Sequence, residues 1–210
     1  MGKITELRNG KSRNKRTNIF LDGNFAFSLN AEIVARENLQ IGLELSASRI
    51  TELTGSNQAQ ICLDAATRYL GYRPRSEAEL RQKLRQRGFD STIIETVIAK
   101  LKEQKYVDDL AFARFWKDDR ESFSPRSQWL TRRELRQKGV SEEIINQVVE
   151  TIDEEDSAYR AALSKSRRRV YPDHQIFRRR LGEYLRRRGF GYEVTNRTVE
   201  RLWQERNNST

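Results

Sequence analysis

The chain has 210 residues, with 40 Lys and Arg against 30 Asp and Glu, and a formal net charge of +10. Hydrophobic residues are 36% and charged residues 33%, a thin core under a large charged surface, and no apolar run reaches the roughly 18 residues that a membrane span needs. Cys62 and His174 stand alone as Cys and His, which excludes disulfides, thiolate or imidazole zinc sites and most nucleophilic triads, and leaves a non-enzymatic cytoplasmic protein without cofactor or metal as the expectation.

Residues 1 to 57 are predicted to form a small β-hairpin domain with short helices. The opening MGKITELRNG lacks the hydrophobic stretch of a signal peptide. Ile19, Leu21, Phe25, Phe27 and Leu29 fall on odd positions about Asp22-Gly23-Asn24, a turn sequence that tolerates positive φ. That pattern predicts a hairpin with one apolar face, and Ile4 to Arg8 supplies a third strand. The cationic stretch from Asn9 to Arg16 has no apolar periodicity and reads as a mobile loop. From Asn30 the pattern turns helical. Ser46 caps a helix through Leu53, and after the polar TGSNQ stretch no strand signal returns.

The remainder is a repeat. The segments LRQRGFDSTIIETVIAKL, LRQKGVSEEIINQVVETI and LRRRGFGYEVTNRTVERL align with their glycines 51 and 50 residues apart. Each reads Leu-Arg-x-basic-Gly-apolar and then places apolar residues on one helical face: Ile93, Val97 and Leu101, then Ile144, Val148 and Ile152, then Val194, Val199 and Leu202. A leucine stripe on a preceding helix (Leu80 and Leu84; Leu181 and Leu185) and a further opening helix complete each unit. The expectation is a mainly α protein of three tandem three-helix repeats over 58 to 107, 108 to 155 and 156 to 210, forming an elongated curved array. Ser76 with Glu79 fits a capping box, and Ser124 before Pro125 fits an N-cap. Gly88, Gly139 and Gly189 are structural turn residues ending the second helices, and Asp90, Ser141 and Gly191 open the third.

The charge is unevenly spread. Residues 111 to 156 carry 8 basic and 11 acidic side chains, whereas 157 to 210 carry 14 and 5. The helix-turn-helix form invites a DNA-reading third helix, but its exposed positions include Glu95, Glu142, Glu143 and Glu193, which duplex DNA repels. Cations sit instead on the second helices, off the leucine stripe. These are Arg81 and Arg85; Arg132, Arg133 and Arg136; and Arg178, Arg179, Arg180, Arg186 and Arg187, preceded by Arg167, Arg168 and Arg169. Together they are the candidate contacts to a polyanion or an acidic protein groove. Trp116, Trp129 and Trp203 fall near apolar helical positions and read as core, Cys62 as a small core residue, and His174 as a solvated loop residue.

The stretch YLGYRPRSEAELRQKLRQRGF, then YVDDLAFARFWKDDR, then the Glu134 to Gly139 element resemble the RecX regulatory proteins of bacteria, over about residues 60 to 203. DGNFAFSL resembles the extension that many members carry before the repeats. The resemblance implies a non-enzymatic modulator of RecA recombinase in homologous recombination, DNA repair and the SOS response. Such a protein binds RecA and its filament on single-stranded DNA and usually inhibits strand exchange, ATP hydrolysis and coprotease activity. For this chain a monomer, with weak direct contact to DNA phosphate, is the default expectation. The competing reading is a nucleic-acid-binding helical repeat protein acting without RecA.

Overall fold

In a computed structural model of the chain, the structure describes residues 1–10, 16–167 and 171–207. Residues 11 to 15 of the loop expected from Asn9 to Arg16, together with Arg168 and Arg169, lie outside the described residues, while Asn9 and Arg16 are themselves strand residues. The described chain divides into two compact units, one of residues 1–73 with 80–106 and one of 74–79 with 107–210.

The first unit opens with an antiparallel sheet in the order β3-β2-β1-β4, made of β1 (Gly2–Asn9), β2 (Arg16–Leu21), β3 (Asn24–Asn30) and β4 (Glu44–Leu45), with α1 (Ala31–Arg36) between the last two. Asp22 and Gly23 at the hairpin tip have φ of 51° and 81°, both positive, as the turn that matches strand twist requires. The expected apolar face forms with Ile19, Leu21, Phe27 and Leu29 on the core side, and Phe25 leaves it. Ile19 pairs with Phe27 but Phe20 with Phe25, so Ala26 is an extra residue, and this bulge turns Phe25 out to 59% exposure. β4 gave no sequence signal, because two residues cannot show an alternation. Ile4, Ile19, Leu29, Ile33, Leu39, Leu45 and Leu53 form the core of this domain.

Ser46 caps α2 (Ala47–Tyr72) through the Arg49 amide at 3.1 Å, but the helix does not stop at the polar TGSNQ stretch; it continues through it. Asn57 is the reason. Its buried side chain accepts from the Asn30 amide at 2.8 Å and donates to the Ser28 carbonyl at 3.4 Å, so the polar stretch ties the helix to the end of the sheet. The C-terminal half of α2 buries Cys62, Ala65 and Ala66 and serves as the opening helix of the first repeat, followed by α3 (Glu77–Gln86) and α4 (Ser91–Glu103).

The second and third repeats are α5 (Asp109–Phe123), α6 (Gln128–Gln137) and α7 (Glu142–Val149), then α8 (Glu154–Ser166), α9 (His174–Arg187) and α10 (Tyr192–Asn207). The fold is therefore mainly helical with a small amino-terminal strand domain. Leu80 and Leu84, Leu135, and Leu181 and Leu185 are buried on the second helices, as the stripe predicts. On the third helices the buried face lies slightly further along. Ile94, Ile145 and Thr195 are buried, whereas the expected Ile93, Ile144 and Val194 are half-buried. A one-residue change of 100° moves a side chain from the flank of a helical stripe to its centre.

Gly88, Gly139 and Gly189 have φ of 82°, 75° and 86° and close the second helices as expected. Within the second unit, two of these turns are also joints. The first turn of α3 reaches the α6 turn: the Ser76 hydroxyl donates to the Lys138 carbonyl at 2.5 Å while its oxygen caps the Glu79 amide, and the Glu79 carboxylate meets Lys138 Nζ at 2.5 Å. The first turn of α6 reaches the α9 turn in the same way, with the Ser127 amide donating to the Arg188 carbonyl at 3.1 Å. The cap of α6 is thus Ser127 and not Ser124, which instead ends α5. The residue before a proline is pushed out of the helical region, and two further residues carry the chain to the joint. α9 differs from its two counterparts. It is 14 residues long against 10 for α3 and α6, and the fully buried Phe177 occupies the place that Ser76 and Ser127 hold in the repeat alignment.

Candidate polyanion interface

The second helices carry the cations, but the three repeats treat them differently. In the first repeat Arg81 forms a two-pronged pair with Glu95 of α4, at 2.9 and 2.6 Å. In the second, Arg132 meets Asn146 and Arg136 meets Glu142, both on α7. The hydrogen bond from Arg136 holds the Glu142 carboxyl below the usual carboxylate range, and Glu142 in turn raises Arg136. Arg81 and Arg132 are half-buried rather than free. The acids that argue against a DNA-reading third helix therefore have a second role, as counter-charges for the neighbouring helix. Arg81 to Glu95 and Arg132 to Asn146 are both 14 residues, a spacing present in the sequence that would have shown the pairing.

The third repeat lacks this arrangement. Gly182 stands where Arg81 and Arg132 stand, and Tyr192 and Asn196 take the places of Glu142 and Asn146. Arg178, Arg179, Arg180, Arg186 and Arg187 are all exposed on α9, and none forms an ion pair with a described residue. Placing Phe177, Leu181 and Leu185 at the core turns all five arginines to the outer arc of the helix, with Glu183 the acid among them. At neutral pH a row of unpaired guanidinium groups on one rigid helix is a surface for phosphate or carboxylate groups.

The other expected contacts are scattered. Arg85 is exposed on α3, Arg133 is exposed with its guanidinium 5.7 Å from the Trp129 ring, and Arg167 is exposed at the end of α8. Sequence reasoning missed a cluster around Glu134. Its carboxylate accepts from Trp116 Nε1 at 2.8 Å and Arg120 Nε at 3.0 Å and pairs with Arg126. Burial, and then the nearby Arg120 and Arg188, lower the pKa of Arg126.

Three single residues differ from or sharpen the sequence reading. Trp129 is 59% exposed and covers the Gly189 turn rather than filling a core. His174 is not a solvated loop residue; it opens α9 and lies over the Trp203 ring at 5.0 Å, with Nε2 3.3 Å from Glu200. Cys62 is fully buried, and burial pushes its thiol up to about 11. Among the described residues no group of three or more His, Cys, Asp or Glu is placed to hold a metal ion, and no helix is long and apolar enough to cross a membrane.

Three family descriptions match the chain: the regulatory protein RecX N-terminal domain over residues 2–46, the first RecX three-helix domain over 62–101, and the second over 108–149. A regulatory protein RecX from Clostridium botulinum (strain Eklund 17B / Type B) is 29% identical over 205 residues, covering 95% of this chain and 96% of that protein. One from Bacillus velezensis is 29% identical over 208 residues, 96% of this chain and 78% of the relative. A crystal structure of regulatory protein RecX superposes with a TM-score of 0.68 at 25% identity, over 95% of this chain and all of that one.

Proposed function

Since this chain belongs to the RecX family of regulatory proteins, we propose that it is a non-enzymatic regulator of RecA recombinase. In this reading it binds RecA and RecA filaments on single-stranded DNA and lowers strand exchange, ATP hydrolysis and coprotease activity. The observation that carries the reading to a site is the contrast between repeats. Arg81, Arg132 and Arg136 of the first two repeats are answered by their own third helices, while the α9 arginines have no ion pair among the described residues.

A filament on single-stranded DNA presents both acidic protein surface and phosphate. Exposed guanidinium groups fit either, since they bind planar carboxylates and phosphates through paired N–H groups. Arg179, Arg180, Arg186 and Arg187 are the central contacts in this proposal, with Arg178 and Arg167 beside them. Arg81, Arg132 and Arg136 belong to it only where a partner displaces Glu95 and Glu142. Arg85 and Arg133 are exposed secondary contacts, and Arg168 and Arg169 continue the basic run in sequence.

The test is RecA-dependent ATP hydrolysis on single-stranded DNA, with and without the protein, for wild type and for a variant with Arg179, Arg180, Arg186 and Arg187 changed to Glu. The wild type should slow hydrolysis and the variant should lose most of that effect while keeping its helical content. Full inhibition by a folded variant removes α9 from the interface. Tight, salt-sensitive binding to bare DNA without any effect on RecA would instead favour a nucleic-acid-binding protein that acts alone.

A further inference from the structure

The two joints of the second unit show what a repeat in this chain does with the helix that enters it. The entering α3 gives its Glu77 amide to Asp109 at 2.8 Å, its Glu79 carboxylate to Lys138, and its Ser76 hydroxyl to the Lys138 carbonyl. The entering α6 gives its Gln128 amide to Glu154 at 3.1 Å, while Arg188 takes the Ser124 hydroxyl at 2.8 Å and the Pro125 carbonyl at 2.9 Å. In both, the glycine admits the newcomer: a Cβ on Gly139 would overlap Ala78, and one on Gly189 would overlap Ser127. A receiving repeat thus offers a carboxylate for a free amide of the helix N-terminus, a bare glycine turn, and a cation that meets the Glu79 carboxylate in one joint and the Ser124 hydroxyl and Pro125 carbonyl just ahead of the helix in the other.

The first repeat has the same basic-Gly turn, and no described residue enters it; its carboxylates, Glu32 and Asp64, come from α1 and from within α2 rather than from the first residue of an opening helix. Arg87 and Gly88 stand where Lys138-Gly139 and Arg188-Gly189 stand, yet a Cβ on Gly88 would meet no atom of the described residues within 4 Å. Arg87 lies over the Tyr69 ring at 5.9 Å and, among the described residues, pairs with no carboxylate. Beside this turn is an open cleft of about 530 Å³, lined by Arg16, Arg68, Arg87, Glu32, Asp64 and Phe89, all within the first unit. Arg16 and Arg68 are likewise without an ion pair among the described residues. Acids and guanidinium groups that line one cleft without ion-pairing to one another, Asp64 accepting from Gln60 Nε2 at 2.9 Å, are suited to a ligand bearing both donors and a carboxylate.

We propose that the Gly88 turn and its cleft are a docking socket for the N-terminal turn of a helix from another protein. On the pattern of α3, whose opening is Ser76-Glu77-Ala78-Glu79, that helix opens with Ser or Thr, has a small residue two positions on, and carries Glu at the third. Glu32 and Asp64 take its free amides, Arg87 with Arg68 takes its carboxylate, and the small residue lies against Gly88, as Ala78 does against Gly139. The socket is separate from α9 and does not depend on the assignment of that face.

An NMR titration of the isotope-labelled full chain with a short alanine-rich helical peptide opening Ser-Glu-Ala-Glu tests this. Saturable shifts should centre on Arg68 and on residues 87 to 89. The Arg68→Gln, Arg87→Gln variant should bind at least about tenfold more weakly with an unchanged unfolding midpoint. A peptide with both Glu changed to Lys should not bind. The variant carrying four α9 glutamates should bind the peptide as the wild type does. No shifts at millimolar peptide, shifts elsewhere on the chain, or loss of binding in the α9 variant would each overturn the proposal. So would displacement of the peptide from these residues by a thymidine oligonucleotide, since the occupant would then be nucleic acid.

Discussion

At the scale of single residues, three glycines that look alike in sequence carry unequal loads. All have positive φ, so an L side chain strains each turn by about 1 kcal/mol. Gly139 and Gly189 also face another helix at van der Waals distance, and Gly88 does not. Gly88→Ala should therefore cost roughly 1 kcal/mol, and Gly139→Ala and Gly189→Ala roughly 2 to 4, because a methyl must push apart a packed joint. Chemical denaturation of the three variants checks this, and equal losses would contradict it. Glu134 is a second unequal residue. Replacing it with Ala removes the acceptor of Trp116 and leaves the half-buried Arg120 and Arg126 without their shared counter-charge, a loss of about 2 kcal/mol. The turn glycines were legible from their spacing alone. Glu134 was not, since Arg126 reaches it across a helix boundary and its partners share no periodicity with it.

Helices in this chain are distinguished by what answers their charge. The exposed pairs between α6 and α7 stabilise only while Glu142 is ionised. Arg136 lowers the Glu142 pKa in the folded state, so that stabilisation is present above the ordinary carboxylate pKa of about 4.3 and is lost as pH falls through the lower folded value. Glu142→Gln should lower stability slightly at neutral pH and flatten the acid side of the profile by the same small amount, so that variant and wild type converge at low pH, which a pH series of thermal melts reads directly. The same acids mask cations. Changing Glu95 and Glu142 to Gln should raise affinity for single-stranded DNA and steepen its salt dependence by about 0.7 in log–log slope for each arginine that gains a phosphate. Sequence periodicity identified the helices and their leucine stripes because those depend on local spacing. It placed Val97, Leu101, Val148, Ile152, Val199 and Leu202 correctly and only the first position of each third-helix face one residue early, and it read the second-helix arginines as uniformly outward, because helix rotation and pairing are settled by the neighbouring helix. The bulge at Ala26 escaped because it is set by strand register rather than by composition, and β4 because two residues are too few to alternate.

On the scale of the whole molecule, the division into units does not follow the repeats. Residues 74–79 belong with 107–210, while the rest of α3 belongs with the first unit. A fragment of residues 74 to 210 should accordingly melt several degrees higher than one of 107 to 210, since only the longer one keeps Ser76 and Glu79 on the α6 turn. Equal melting would show that the joint adds nothing to the second unit. The repeat count and the helical class were legible because the glycine spacing recurs at 51 and 50 residues. The crossing at α3 was not, because the capping box that announces the helix says nothing of which turn it will also hold.

The extra turn of α9 has a consequence for how such a chain can change length. A helix enters the next repeat through a short polar first turn, and α9 has instead a buried Phe177 at that register with a further turn ahead of it. Gene duplication or design can therefore lengthen this protein from within, by copying the second repeat between its neighbours, each copy offering both a turn and an entering helix. Material fused after the last helix would find no such attachment and would hang as an independent appendage, so the carboxyl-terminal repeat acts as a terminator as well as a basic surface.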